Sequence, residues 1–136
     1  MARILAIDYG GKRTGLAVTD PLQITANGLT TVPTVELEDY LRQYLTTEEV
    51  ETVVIGEPRH ADGNPTHLTP KVHELGRRLQ QLFPGLAVVF QDESFTSAEA
   101  REAIFASGVG RKKRRDKALV DKISAVIILQ EYLEAH

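Results

Sequence analysis

The chain reads as an α/β domain: a five-stranded mixed sheet, its first three strands joined as antiparallel neighbours, flanked by helices. Three observations predict it. Short apolar runs recur at residues 4–7, 53–55 and 86–90, each closed by polar or turn residues. Helical apolar spacing lies between the later runs, as in Val72, Leu75, Leu79 and Leu82. The first three strand-like segments follow one another with no helical pattern between them.

Residues 3–9 read as a buried strand, 14–20 as a second and 28–32 as a third, with Gly10-Gly11 making the first connection a tight, hairpin-like turn. Pro33 and Thr34 then open a helix whose Val35, Leu37, Leu41 and Leu45 form one buried stripe, ended by Thr46-Thr47. Residues 53–55 are a short fourth strand stopped by Gly56 and Pro58. Thr69 is the expected N-cap of the next helix, with Pro70 in its first turn, and Pro84-Gly85 terminates it. Residues 86–90 make the fifth strand, and Thr96-Ser97-Ala98-Glu99 is a capping box for a helix ending near Gly108. Residues 118–133, rich in Leu, Val and Ile, form the last helix.

A length of 136 residues with 42% apolar content fits one domain over 1–136, large enough for a real core. With no cysteine there is no disulfide and no thiolate zinc site, so a metal must be held by oxygen or imidazole, which favours magnesium or manganese. No signal-peptide core is seen at the N-terminus, and no apolar stretch approaches the roughly 20 residues of a membrane helix, so a cytoplasmic protein without membrane contact is expected. The net charge of −3 hides an asymmetry: residues 111–117 carry six positive and one negative charge, a net +5, which leaves −8 on the rest. A basic block (Arg111, Lys112, Lys113, Arg114, Arg115 and Lys117) on an acidic body suits a local polyanion contact, with nucleic acid the expected partner; a solvated loop that only maintains solubility is the plain alternative.

Chemistry concentrates in carboxylates. Asp8 ends the first apolar run, where aspartate is disfavoured and an ionised group near a dry core needs a compensating cation. Glu93 follows the fifth strand and Asp121 interrupts an otherwise apolar helix, so three acids remote in the chain are candidates to share a divalent metal. Each also has a structural reading. Asp8 can cap the glycine turn, Glu93 can pair with a surface lysine while Asp92 serves as ligand, and Asp121 can form an i, i+4 pair with Lys117. Asp121 shares a helix face with Ala125, Ile128 and Tyr132, which sets it close to buried territory. Gly10, Gly11 and Gly15 would let a phosphodiester approach Asp8, or simply shape a turn, while Lys12 and Arg13 beside them can reach phosphate oxygens. Glu57 is a possible further ligand at the end of the fourth strand; His60, His67 and His73 fit solvated positions better than catalytic ones. No zinc-hydrolase or nucleophile-elbow motif is present.

The segments Asp8 to Ala17, Gly56 to Gly63, Asp92 to Ser97 and Lys117 to Asp121, taken together, resemble the YqgF family, Holliday-junction-resolvase-like proteins of the RNase H-like fold described as candidate pre-16S ribosomal RNA nucleases. The opening Asp8-Tyr9-Gly10-Gly11-Lys12-Arg13-Thr14-Gly15-Leu16-Ala17 resembles its D-x-G-x-x-R-x-G-x-A pattern, and residues 56–63 (Gly56-Glu57-Pro58 to Asp62-Gly63) resemble its G-x-P-x-x-x-D-G loop. Asp92-Glu93-Ser94-Phe95-Thr96-Ser97 is similar to its D-E-R-x-T-S segment, and Lys117 with Asp121 to its K-x-x-x-D motif. The family's arginine after the glutamate is Ser94 here, so either Arg59, Arg101 or the basic block takes its place on phosphate or activity is weakened, and the usual Ala-Ala pair of the last helix is Ser124-Ala125.

The resemblance implies a nuclease in which Asp8, Glu93 and Asp121 hold magnesium or manganese at a scissile phosphate, acting on precursor rRNA, with branched DNA the other candidate substrate. Two other functions remain open on sequence: a non-catalytic nucleic-acid-binding module of the same fold, and the phosphate loop of an actin-like sugar kinase, which one domain fits poorly. A homodimer is also left open, because apolar helix faces for pairing and for the core look alike in sequence.

Overall fold

The computed structural model describes residues 2–58, 66–92 and 117–135. Its strands are β1 (Arg3–Asp8), β2 (Arg13–Thr19), β3 (Ala26–Pro33), β4 (Val50–Glu57) and β5 (Ala87–Asp92). A 3-10 turn at Thr34–Glu36 leads into α1 (Leu37–Thr47); α2 is Thr69–Leu82 and the C-terminal helix, α3, is Lys117–Ala135. The sheet order is β3-β2-β1-β4-β5. β2 is antiparallel to both β1 and β3, while β4 runs parallel to β1 and β5 parallel to β4. The mixed five-stranded sheet is therefore the one expected, with β1 at its centre.

Period-two alternation divides the core between two faces. Leu5, Ile7, Leu16, Val18, Val53 and Ile55 pack with Leu37 and Leu41 of α1 and Val72 and Leu79 of α2. On the other face Ile4, Ala6, Ala17 and Val54 pack with Ala125, Ile128 and Leu129 of α3. Full burial of a leucine or isoleucine contributes about 1.5–3 kcal/mol, so both faces hold the sheet, and the small Ala6 and Ala17 let α3 lie close to it.

Several local expectations change. Val35 is 93% exposed, because the 3-10 turn places it before the helical stripe begins. β4 starts three residues earlier and ends two later than its apolar centre, since pairing with β1 and β5 carries the polar positions along. Thr69 is the first residue of α2 and not its cap: its hydroxyl donates to the Pro58 carbonyl at 2.9 Å and accepts from the Thr66 N–H at 3.0 Å, fastening the helix to the end of β4. The helix expected after Thr96 lies outside the described residues. No helix among the described residues is long and apolar enough to cross a membrane.

Candidate active site

The centre of the sheet carries the most unusual polar residue. Asp8 is the last residue of β1, 8% exposed, and follows Ile4 and Ala6 in the alternation that faces α3. Its register partner on β2 is Gly15, and such antiparallel partners lie about 4.5–5.5 Å apart at Cα with side chains on the same face. A Cβ built on Gly15 would sit 2.0 Å from the Asp121 carbonyl oxygen and 2.3 Å from its carbonyl carbon. Only glycine lets α3 approach β2 this closely. The same contact brings Asp121 beside Asp8: one glycine separates the two backbones.

This assigns Gly15 a packing role where phosphate access was one expectation. Gly10 serves the turn, since a Cβ there would meet the Arg13 carbonyl oxygen at 2.2 Å. The turn is braced from the end of β3, where the Thr34 hydroxyl donates to the Gly10 carbonyl at 2.7 Å and the Thr34 N–H to the Lys12 carbonyl at 2.9 Å. Thr34 was legible in sequence only as a helix opener. Its bracing role follows from the hairpin register, in which Pro33 faces Arg13.

Arg13, at the start of β2, donates from Nε to Asp121 Oδ2 at 3.1 Å, with side chains 38% and 18% exposed respectively. The ion pair of Asp121 is thus with a residue 108 positions away. Lys12 is exposed on the turn beside it.

Glu57 does not join the acids at Asp8. It follows Val53 and Ile55 onto the opposite face, is buried there, and its Oε2 lies 3.2 Å from His73 Nε2 on α2. The His73 ring also stands against Phe90 with centroids 4.8 Å apart. Asp92 is the register partner of Glu57 and therefore shares that face, whereas Gln91 turns toward α3 and donates to the Ile128 carbonyl at 3.0 Å. Strand alternation corrects both candidate extra ligands, Glu57 and Asp92: each starts from the wrong side of the sheet.

Glu93, Arg59, Ser94 and the basic block Arg111, Lys112, Lys113, Arg114 and Arg115 lie outside the described residues, as does the side chain of Lys117. Among the described residues no group of three acids or histidines gathers to hold a metal. The two that do share a face, Asp8 and Asp121, offer carboxylate oxygen, and a carboxylate as buried as Asp8 is the donor a hard divalent cation fits.

A mixed sheet of this order, covered by a C-terminal helix, is an RNase H-like α/β fold, here with a carboxylate ending its central strand and another on that helix. The model of the RuvX family, described as Holliday junction resolvase, matches residues 2–135. The chain belongs to that family, the Holliday-junction-resolvase-like group to which the four motifs pointed. A relative from Porphyromonas gingivalis is 53% identical over 134 residues, covering 98% of this chain and 97% of its own. Another from Flavobacterium johnsoniae is 47% identical over 135 residues, covering 99% and 98%. Both are named as candidate pre-16S rRNA nucleases. Among solved structures, T. thermophilus RuvC in complex with Holliday junction substrate aligns with TM-score 0.54 at 18% identity, over 99% of this chain and 95% of that one, a likeness of fold.

Proposed function

We propose that this chain is a divalent-metal-dependent nuclease that hydrolyses phosphodiester bonds in structured nucleic acid, with precursor 16S rRNA its substrate and the cytoplasm its place of action. The observation that carries the reading is the convergence of Asp8 and Asp121 on one face through the Gly15 contact. Family membership supports the reaction class, and the names of the relatives support the substrate.

Asp8 and Asp121, with Glu93 as the third member, would hold magnesium or manganese. When bound there, such cations supply charge stabilisation at the phosphoryl group and a water made nucleophilic at neutral pH. The chain's own contribution is placement. Asp8 stands on the strand flanked by both β2 and β4, the most rigid mount in the sheet, and Asp121 is held by packing against Gly15 and by the Arg13 guanidinium. Glu93, next in sequence after β5, is proposed as their partner on the strength of the Asp92-Glu93 motif alone. Lys12 and Arg59 are proposed phosphate contacts, and the basic block 111–115 with Lys117 is the proposed guide for the polyanion.

The test replaces Asp8 by Asn and assays cleavage of precursor 16S rRNA and of a branched DNA with magnesium. The expected loss exceeds the roughly 10–100-fold that removal of a partner outside the ligand shell costs. Cleavage at the wild-type rate would reject the metal role of Asp8. A wild-type chain that binds the RNA but cleaves neither substrate would leave a non-catalytic binding module of the same fold.

A further inference from the structure

We propose that Arg13 works with both edges of its guanidinium: Nε orients Asp121, and the terminal nitrogens grip a phosphodiester oxygen of the substrate, so that one side chain ties substrate position to the geometry of an acid. This inference rests on the nuclease reading of the α3 face and adds to Arg13, expected from sequence as a phosphate contact, a second role in positioning Asp121.

The geometry is specific. An arginine facing a carboxylate commonly offers two parallel N–H groups as a fork. Here only Nε engages, at 3.1 Å to Oδ2. Among the described residues, the two terminal nitrogens make no hydrogen bond or ion pair, nor does the second carboxylate oxygen of Asp121. The Arg13 side chain is 38% exposed, so it is partly open to a ligand. Asp121 is held at one oxygen, with the other left for its own ligand.

The backbone that carries the arginine is fixed. Arg13 is the first residue of β2, paired across from Pro33, and the turn before it is tied down by the Thr34 hydroxyl and N–H. Asp121 lies against Gly15, two residues further along β2, and Gly15 pairs with Asp8. A phosphate seated on the outer edge of Arg13 is therefore one side chain away from the acid pair. Nearby, the aliphatic stem of Lys122 lies over Gly28 of β3, its Cγ and Cδ each 3.0 Å from where a Cβ would be, which adds a cation to the same helix flank. A lysine at position 13 would keep the charge but lacks the planar donor set that holds a carboxylate on one edge and a phosphate on another with fixed geometry.

The experiment compares the wild type with Arg13→Lys in two measurements, neither of which uses turnover. The first is binding of a labelled fragment from the 5′ end of precursor 16S rRNA by fluorescence anisotropy in EDTA. The second is Mn2+ binding without RNA, followed by the loss of the free-ion paramagnetic resonance signal. Arg13→Lys is expected to weaken RNA binding about tenfold, as loss of a charge-assisted two-point contact does. Mn2+ affinity is expected to fall about 10-fold or more through the loosened Asp121, as for an outer partner of a ligand. Since charge is preserved, wild-type values in either measurement overturn the proposal. A wild-type chain that takes up neither Mn2+ nor RNA would instead bring down the nuclease reading beneath it, and Arg13→Gln, expected to be at least as defective in RNA binding, guards against a lysine that finds a new partner.

Discussion

Asp8 and Asp121 were singled out from sequence for one reason: each is a carboxylate in an apolar context, and that signal survives in the structure as the burial of Asp8, the partial burial of Asp121 and a shared face. What sequence could not reveal is the partner of each. Arg13 and Asp121 meet across 108 residues, a pairing no local pattern encodes. Glu57 was a candidate further ligand because it too ends an apolar strand; the difference from Asp8 lies in strand parity, which becomes readable only once the register is known. Glu57→Gln should accordingly leave cleavage within a few-fold of wild type. It should still lower the melting temperature, because a buried acceptor next to His73 is altered.

Ser124 offers a test of the opposite sign. Its hydroxyl is buried on α3 and has no hydrogen-bond partner among the described residues. Ser124→Ala is expected to raise stability, by up to about 1–3 kcal/mol, the penalty of an unmet buried polar group. Urea denaturation measures this directly.

The β2 to α3 contact and the β2–β3 turn are where elements depend on single residues. Gly15→Ala would drive a methyl group into the Asp121 backbone. Overpacking of this kind costs about 1–3 kcal/mol, and it should reduce cleavage as well, because the helix that must yield is the one carrying Asp121. Thermal unfolding and the cleavage assay read the two effects separately.

At the β2–β3 turn, Asp20 accepts from the N–H groups of Thr25 at 2.7 Å, Ile24 at 2.8 Å and Leu22 at 3.2 Å, and from the Thr25 hydroxyl at 3.2 Å. These donors, the Thr25 N–H foremost, hold its carboxyl below the usual aspartate range. The folded value lies below the unfolded one, so this contribution is complete at neutral pH and drains away as acid takes the pH below about 4. Asp20→Ala should therefore melt earlier than wild type at pH 7, and the gap should narrow at pH 3. Strand and helix identities were legible because their periodicities are strong. Ends were not, as Thr69 illustrates: its sequence context marks a cap, but its hydroxyl is claimed by Pro58.

Across the molecule, two cores on opposite faces of one sheet place Asp8 and the Glu57–His73 pair on opposite sides, so the proposed nuclease site lies on the α3 side. The pattern of apolar segments was enough to anticipate a mixed sheet, since three successive strands are followed by helix-linked ones, while the central place of β1 is supplied by the observed strand order. Function at this level was legible mainly through four motifs in order, as the match over residues 2–135 reflects.

The charge asymmetry yields its own expectation: neutralising Arg111, Lys112, Lys113, Arg114 and Arg115 should weaken binding to duplex DNA and flatten its dependence on log salt by about 0.9 for each phosphate that is no longer neutralised. The most direct test of the account is anomalous diffraction from crystals of the chain soaked in Mn2+ with an oligonucleotide. A manganese peak bridging carboxylate oxygens of Asp8 and Asp121 is the predicted result. A peak at Glu57 and His73, or one that leaves Asp8 without a metal contact, would contradict it.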